Sequence, residues 1–248
     1  MAIKVIKPSD LKKQNIKMIV YGKSGLGKTA FSTSMFHQEQ HNKLKTLVLD
    51  LEKGTTACSR DDINIIPINN ASEFKEALDF VKENQNNYDL LVISSWTKYS
   101  EMLYVAAKEV VQREELETGK KNQYRLWGLI DEKFREYYDM LLQLDMHLII
   151  ECLEEISEID GYGIINYPMM KAKQFKQYMP SQSDITAYIT IVDGEPQLIT
   201  EPFPRAFTKN RFRHSHPKIN RIKQSDKLWN AENFIAYLQN GGSNENSK

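Results

Sequence analysis

An eight-residue segment near the start of the chain has the residue types and the spacing that bind phosphate. Residues 22–29 read Gly-Lys-Ser-Gly-Leu-Gly-Lys-Thr, a full match to the pattern G-x-x-x-x-G-K-[ST]. Glycines let backbone N–H groups turn inward around an anion, and a following helix adds a partial positive charge. We expect Lys28 to reach the β- and γ-phosphates of ATP and the Thr29 hydroxyl to bind Mg²⁺. The predicted nucleotide contacts are Gly22, Lys23, Ser24, Gly25, Leu26, Gly27, Lys28, Thr29 and Ala30.

The segments around this loop predict the strand and the helix that it needs. The apolar run 16–21 precedes the loop, and residues 30–36 suit a helix. Further apolar runs alternate with helical patterns, which predicts a parallel sheet covered on both faces. Later Asp-Gly pairs predict antiparallel hairpins. The other predicted strands are 46–52, 63–67, 90–93, 147–150, 185–192 and 197–200.

Composition limits the class of protein. The chain has 248 residues, enough for one large α/β domain, with 33 Lys and Arg against 33 Asp and Glu. A nucleic-acid surface must therefore be a local patch. Cys58 and Cys152 are too few and too far apart for a disulfide framework. Since no apolar run reaches the length of a membrane span and no signal peptide is evident, we expect a cytoplasmic protein.

Acidic residues at strand ends are the candidates for hydrolysis. Glu52 is predicted to lie at the same sheet edge as the phosphate loop, where a carboxylate can polarise water. A solvated strand-end acid is the alternative. The apolar run 90–93 is followed by Ser94, where an ATPase usually carries an Asp that orients the magnesium-bound water. Ser94 can hydrogen-bond such a water without supplying charge, and Glu151 is the candidate substitute.

The order of these features resembles that of RecA/RadA-type ATPase cores. More narrowly, it resembles the compact phage-encoded RecA-like ATPases that assist single-strand annealing and recombination. The resemblance covers residues 16–213 and rests on the phosphate loop, Glu52, the strands that end at Ser94 and Glu151, and the late hairpins. It implies that Glu52 activates the attacking water. It also implies that Glu151 senses the γ-phosphate and couples it to a DNA-contacting loop.

A short basic motif extends the resemblance. Lys209-Asn210-Arg211-Phe212 is similar to the lysine–asparagine–arginine–phenylalanine signature of RadA-type proteins, although Arg213 stands where a glycine commonly follows. The resemblance implies that Lys209 and Arg211 act at the ATP site of a neighbouring subunit or contact DNA. A cation supplied in trans can stabilise transition-state charge. We therefore expect a homo-oligomer, either a ring or a filament. A solvated basic segment is the alternative.

A local concentration of basic residues predicts a surface for single-stranded DNA. Eight basic residues lie between positions 205 and 227 against one acid, Asp226, with aromatic and histidine side chains interleaved. Cations together with flat side chains are typical of single-strand binding, and a solvated sheet edge is the alternative. The resemblance places DNA loops at two further clusters. The nucleic-acid candidates are Lys120, Lys121, Lys171, Lys173, Lys176 and Arg213.

These observations predict a RecA-like α/β core, with a mostly parallel sheet flanked by helices and extended by C-terminal antiparallel hairpins. We expect a single domain over residues 1–240 and a disordered polar tail at 241–248. The predicted function is a DNA-stimulated ATP hydrolase in phage recombination or strand annealing, in the host cytoplasm, with a phage or host single-strand-binding protein as a further partner. Two alternatives stay open: an ATP-gated annealing protein with negligible hydrolysis, and a P-loop kinase of small molecules.

Overall fold

A computed structural model describes residues 15–35, 44–57, 62–119, 123–159, 161, 163–172 and 175–240. The predicted tail at 241–248 lies outside these residues. The strands are β1 (Lys17–Gly22), β2 (Thr46–Asp50), β3 (Asn64–Pro67), β4 (Leu90–Ser94), β5 (His147–Cys152), β6 (Glu154–Ile159), β7 (Gly163–Pro168), β8 (Ile185–Val192), β9 (Glu195–Ile199), β10 (Lys209–Asn210) and β11 (Arg221–Lys223). The α-helices are α1 (Lys28–Ser32), α2 (Ala71–Asn84), α3 (Trp96–Thr118), α4 (Gln123–Gln143), α5 (Phe175–Gln182) and α6 (Ala231–Gln239).

The central sheet confirms the predicted fold class. Its order is β11-β9-β8-β1-β5-β4-β2-β3, with β10 paired to β8. The strands from β8 to β3 pair in parallel, whereas β9 and β10 run antiparallel to β8, and β11 runs antiparallel to β9. Strands β6 and β7 form a separate antiparallel hairpin. The chain is thus a mixed α/β fold with a mostly parallel sheet that antiparallel strands extend.

Both faces of this sheet are buried, which explains why its strands are continuous apolar runs. On one face, Leu91 and Ile93 belong to a core cluster with residues of α2, α3, α4 and α5. On the other, Leu90 and Val92 belong to a cluster with Phe31 of α1 and residues of α6. Alternate residues of one strand therefore contribute to opposite core layers. None of the helices in the described ranges is both long and apolar enough to cross a membrane.

Strand register decides which loops share an edge of the sheet. Val20 of β1 pairs with Glu151 of β5, and Asp50 of β2 pairs with Ser94 of β4. The phosphate loop and the ends of β2, β4 and β5 therefore lie at one edge. Strand β2 ends at Asp50, two residues before the predicted end, because the Asp50 carboxylate bonds the backbone of the turn that follows.

Candidate nucleotide-binding site

The phosphate loop leaves β1 at a point where only glycine fits. A Cβ atom on Gly22 would lie 2.3 Å from the carbonyl oxygen of Ile189 on the neighbouring strand β8. Gly27, directly before α1, has a φ of +86°, a left-handed conformation that favours glycine. The spacing of the motif is thus required by close strand packing at its start and by backbone geometry at its end.

A tryptophan that sequence analysis did not single out supports the loop from behind. Trp229, which is buried, packs its ring 3.5 Å from the position that a Cβ on Gly27 would take. The same ring contacts Phe31 of α1 edge-on, with 6.2 Å between the ring centroids. The segment before α6 therefore packs against both the loop and its helix. Its sequence signal, an aromatic residue directly before the Asn230 cap of α6, is too common to identify such a role.

Lys28 is buried within the loop that it closes. Its Nζ donates hydrogen bonds to the carbonyl oxygens of Gly22 and Lys23, at 3.1 and 2.8 Å. Burial lowers the pKa of the Lys28 ammonium, while the nearby carboxylates of Glu151 and Glu52 oppose that shift. An ammonium has three N–H donors. The loop carbonyls take two of them, which leaves a donor for a phosphate oxygen.

Three oxygen-bearing side chains meet beside the start of α1. Glu151 accepts hydrogen bonds at Oε2 from the hydroxyls of Thr29, at 2.8 Å, and Ser94, at 2.9 Å. The two hydroxyl oxygens are 3.5 Å apart. Glu151 is 1% exposed, and burial raises the pKa of its carboxyl group. Its second oxygen, Oε1, is buried and has no hydrogen-bond partner among the described residues.

This donor set fits Mg²⁺. Magnesium prefers oxygen ligands and is usually bound through one or two carboxylates together with substrate phosphates. Thr29, Ser94 and Glu151 supply two hydroxyl oxygens and a carboxylate next to the loop that would hold the phosphates. The predicted metal residues Thr29 and Ser94 are therefore adjacent. The predicted sensor Glu151 contacts both of them.

Glu52, the predicted catalytic acid, is exposed at the same edge. Its Oε1 accepts a hydrogen bond from the hydroxyl of Ser95, the N-cap residue of α3. The turn that carries Glu52 is organised by Asp50, which is buried and accepts from the backbone N–H groups of Glu52, Gly54 and Thr55, each at 3.2 Å. This role of Asp50 is a finding of the structure alone. An acid followed by a glycine-containing turn is the signal for such a cap.

The predicted trans-acting residues lie near the opposite ends of the strands, away from the phosphate loop. Lys209 pairs with Thr186 near the start of β8, and its Nζ donates to the carbonyls of Pro180, Ser181 and Ser183 at the end of α5. The guanidinium of Arg211 pairs with the carboxylate of Asp184 at 2.9 Å and stays about half exposed. Asp184 lies level with Lys17 at the start of β1, so the Arg211 guanidinium is about 17 Å from its own phosphate loop. The Lys209 ammonium bonds carbonyls at the same end of the strands.

The nucleic-acid candidates differ in their environments. Lys171 is exposed, with its Nζ 5.7 Å from the ring centroid of Tyr104. Lys176 is mostly buried and paired with Glu155. Arg213 is exposed. Lys120, Lys121 and Lys173 lie outside the described residues. Of the three candidates that the structure describes, two are thus exposed and one is held by an acid.

Comparison with known proteins gives the family. The family model described as an AAA domain matches residues 14–212. No curated protein matches the chain significantly. The matched range contains the phosphate loop and the acids of β2 and β5, and it ends directly after Arg211. Because the match spans most of the chain, and the fold and the loop are those of a nucleotide-binding ATPase domain, the protein belongs to the AAA domain family.

Proposed function

We propose that this chain is a DNA-stimulated ATP hydrolase that binds single-stranded DNA and assists recombination or strand annealing. The observation that carries the proposal is the gathering of Lys28, Thr29, Glu52 and Glu151 at one edge of the sheet. A phosphate-binding group, oxygen ligands for a cation and an exposed carboxylate are the parts that ATP hydrolysis requires. The AAA domain match supports nucleotide binding independently.

Each side chain has a distinct part in the proposed reaction. The N–H groups of the loop and the ammonium of Lys28 hold the phosphates. Mg²⁺, when bound beside Thr29, would neutralise charge on the β- and γ-phosphate oxygens. The Glu52 carboxylate, fixed by the Ser95 hydroxyl, orients a water molecule and accepts its proton. Asp50 holds the turn that aims Glu52.

We propose further that the active species is a homo-oligomer. Lys209 and Arg211 are too far from their own phosphate loop to act there, so any action on ATP has to be on a neighbour's site. Arg211 is about half exposed, as a group that reaches across an interface must be. A guanidinium supplied in trans stabilises the charge that develops on the γ-phosphate.

The DNA-binding part of the proposal rests on the basic segment between Arg205 and Lys227. The exposed cations of this segment are Arg205, Arg211, Arg213, Lys218, Arg221, Lys223 and Lys227. Two of them, Arg211 and Arg221, are paired with acids, so the others carry the attraction for phosphate. A single-strand-binding protein that delivers the DNA is the proposed further partner.

The decisive experiment is ATP hydrolysis by the purified protein with and without a single-stranded oligonucleotide. Glu52→Gln removes the proposed base and is the control. Stimulation by DNA that disappears in this variant supports the proposal. If ATP binds and no turnover occurs in either condition, the hydrolase is excluded and an ATP-gated DNA-binding protein remains. Transfer of phosphate to a small acceptor instead of water would support a kinase.

A charge reversal tests the DNA surface separately. Arg213→Glu should weaken binding of a poly-dT oligonucleotide, measured by fluorescence anisotropy, because exposed cations contribute to affinity through phosphate contacts. Lys75→Glu is the control, since Lys75 is also an exposed cation but lies on α2, where it is paired with Asp79. Equal effects of the two changes would exclude a specific role for the basic segment.

A further inference from the structure

We infer that Glu151 supplies the negative charge of the magnesium site, in place of the carboxylate that position 94 lacks. This inference rests on the proposed function, because it concerns Mg²⁺ bound together with ATP. The acidic residue of the magnesium site is then at the end of β5, the strand adjacent to β4, and not at the end of β4 itself. Glu151 would then be a metal ligand, or hold a metal-bound water, and not a sensor alone.

The pairing of β4 and β5 places the acid correctly. Ile93 pairs with Ile150, so Ser94 and Glu151 follow as neighbours at the ends of two parallel strands. The Ser94 hydroxyl donates to Glu151 at 2.9 Å. The carboxylate from β5 therefore reaches the space beside the β4 residue that the missing acid would have filled.

The direction of the hydrogen bonds leaves the oxygens open to a cation. Both Thr29 and Ser94 donate their single proton to Oε2 of Glu151. A hydroxyl that has donated its proton still has lone pairs, and those of Thr29 can bind a metal. The other carboxylate oxygen, Oε1, is buried and has no hydrogen-bond partner among the described residues, since the nearby Ser32 hydroxyl donates its proton to the carbonyl of Lys28. Three neighbouring oxygens can thus still accept a cation: the hydroxyl oxygens of Thr29 and Ser94, and Oε1 of Glu151.

The negative charge of an ionised, buried Glu151 also favours a bound cation. Glu151 is almost completely buried, and its hydrogen bonds come from neutral hydroxyls. A buried ionised carboxylate is costly unless it is paired with a positive charge or coordinates a metal. Lys28 is near enough to interact with Glu151 electrostatically, but its ammonium bonds loop carbonyls instead. A divalent cation between Thr29 and Glu151 would supply the compensating charge.

The competing interpretation is that Glu151 is only a hydrogen-bond acceptor that fixes Thr29. Glu151→Gln separates the two, because glutamine keeps the size and one acceptor oxygen and removes the charge. The measurement is the affinity for a fluorescent ATP analogue in EDTA and in Mg²⁺, together with Mn²⁺ binding followed by electron paramagnetic resonance. A metal role predicts that the variant keeps its affinity in EDTA. It also predicts loss of about tenfold to a hundredfold in metal affinity.

A second variant distinguishes the loss of a metal ligand from a general change in structure. Ser94→Asp in the Glu151→Gln background returns a carboxylate to β4 and should restore Mn²⁺ binding and the Mg²⁺ enhancement of ATP affinity. If Glu151→Gln alone does not fold, this double variant carries the test, and failure to fold or to bind Mn²⁺ overturns the inference. Unchanged metal dependence in folded Glu151→Gln also overturns it. A different result would contradict the proposed function: that the unaltered protein binds no ATP.

Discussion

The hydroxyl of Ser95 donates a hydrogen bond to the carboxylate of Glu52, which joins the start of α3 to the turn after β2. This contact restrains an otherwise exposed side chain. Ser95→Ala should therefore lower the rate of ATP hydrolysis by on the order of tenfold to a hundredfold, because misplacement of a catalytic group is costly. Nucleotide affinity should change little. Steady-state kinetics beside equilibrium binding of a fluorescent ATP analogue checks this.

The control for this prediction is Ser95→Thr. Ser95 also caps α3 by accepting from the N–H of Lys98, and alanine loses that cap at a cost of about 1 kcal/mol. Threonine keeps both the hydroxyl and the cap. If the folded alanine variant keeps the rate of the unaltered protein, hydrogen bonding to Glu52 is not what matters at this position; because Ser95 is buried, a slow threonine variant alone would not decide this.

Asp50 should stabilise the fold through the turn that carries Glu52. Its buried carboxylate accepts from three backbone N–H groups and from the Thr55 hydroxyl. Asp50→Ala leaves these donors unsatisfied, so we expect a loss of about 2–4 kcal/mol in the free energy of unfolding. Urea denaturation measures it. The matched control is Asp89→Ala, an exposed acid that accepts from the N–H of Lys45 and should cost far less. Equal losses would contradict the assigned role.

His147 should make the stability of the protein depend on pH. Burial, and then the nearby charge of Lys17, lowers the pKa of its imidazole from 6.5 to about 4. The folded state favours the neutral ring, which accepts from the N–H of Ile16 at Nδ1. This stabilisation is complete above pH 6.5 and is lost as the pH falls towards 4. Between pH 7 and 4.5 we expect a loss of about 2 kcal/mol from this group.

The His147 contribution is isolated by a variant. Unfolding free energies of the unaltered protein and His147→Gln should be compared at pH 7 and 4.5, so that carboxylates titrating in both proteins cancel. The difference between the two proteins should shrink, or change sign, at the lower pH. A difference that is the same at both pH values would show that His147 does not titrate in this window.

Arg211 should act on a neighbouring subunit. Arg211→Ala and Glu52→Gln should each be inactive alone. An equal mixture of the two variants should recover about a quarter of the activity of the unaltered protein, because one interface in four then has both an unaltered Glu52 and an unaltered Arg211. The measurement is ATP hydrolysis of the mixed proteins. Arg221→Ala is the matched control, since it removes an exposed, acid-paired arginine from the edge strand β11 and should keep full activity. No recovery on mixing would exclude action in trans.

The free positive charge of the basic segment could be predicted only in part from the sequence. The sequence shows eight cations between positions 205 and 227 against a single acid. In the fold, acids from outside this segment pair with two of them: Asp184 pairs with Arg211, and Glu201 pairs with Arg221. Carbonyls at the end of α5 hold Lys209. Local composition therefore overstates the free positive charge, because the tertiary structure decides which acids and carbonyls outside the segment reach these cations.

The sequence by itself determined the phosphate loop, the parallel sheet and the position of Glu52 at the same sheet edge as that loop. These follow from short-range patterns: the glycine spacing of the loop, apolar runs for strands buried on both faces, and an acid shortly after a strand. Only the tertiary structure decided that Glu151 contacts Thr29, 122 residues away, and that Ser95 holds Glu52. The physical reason is strand order and register: which strands become neighbours, and how they align, depends on the packing of the whole sheet.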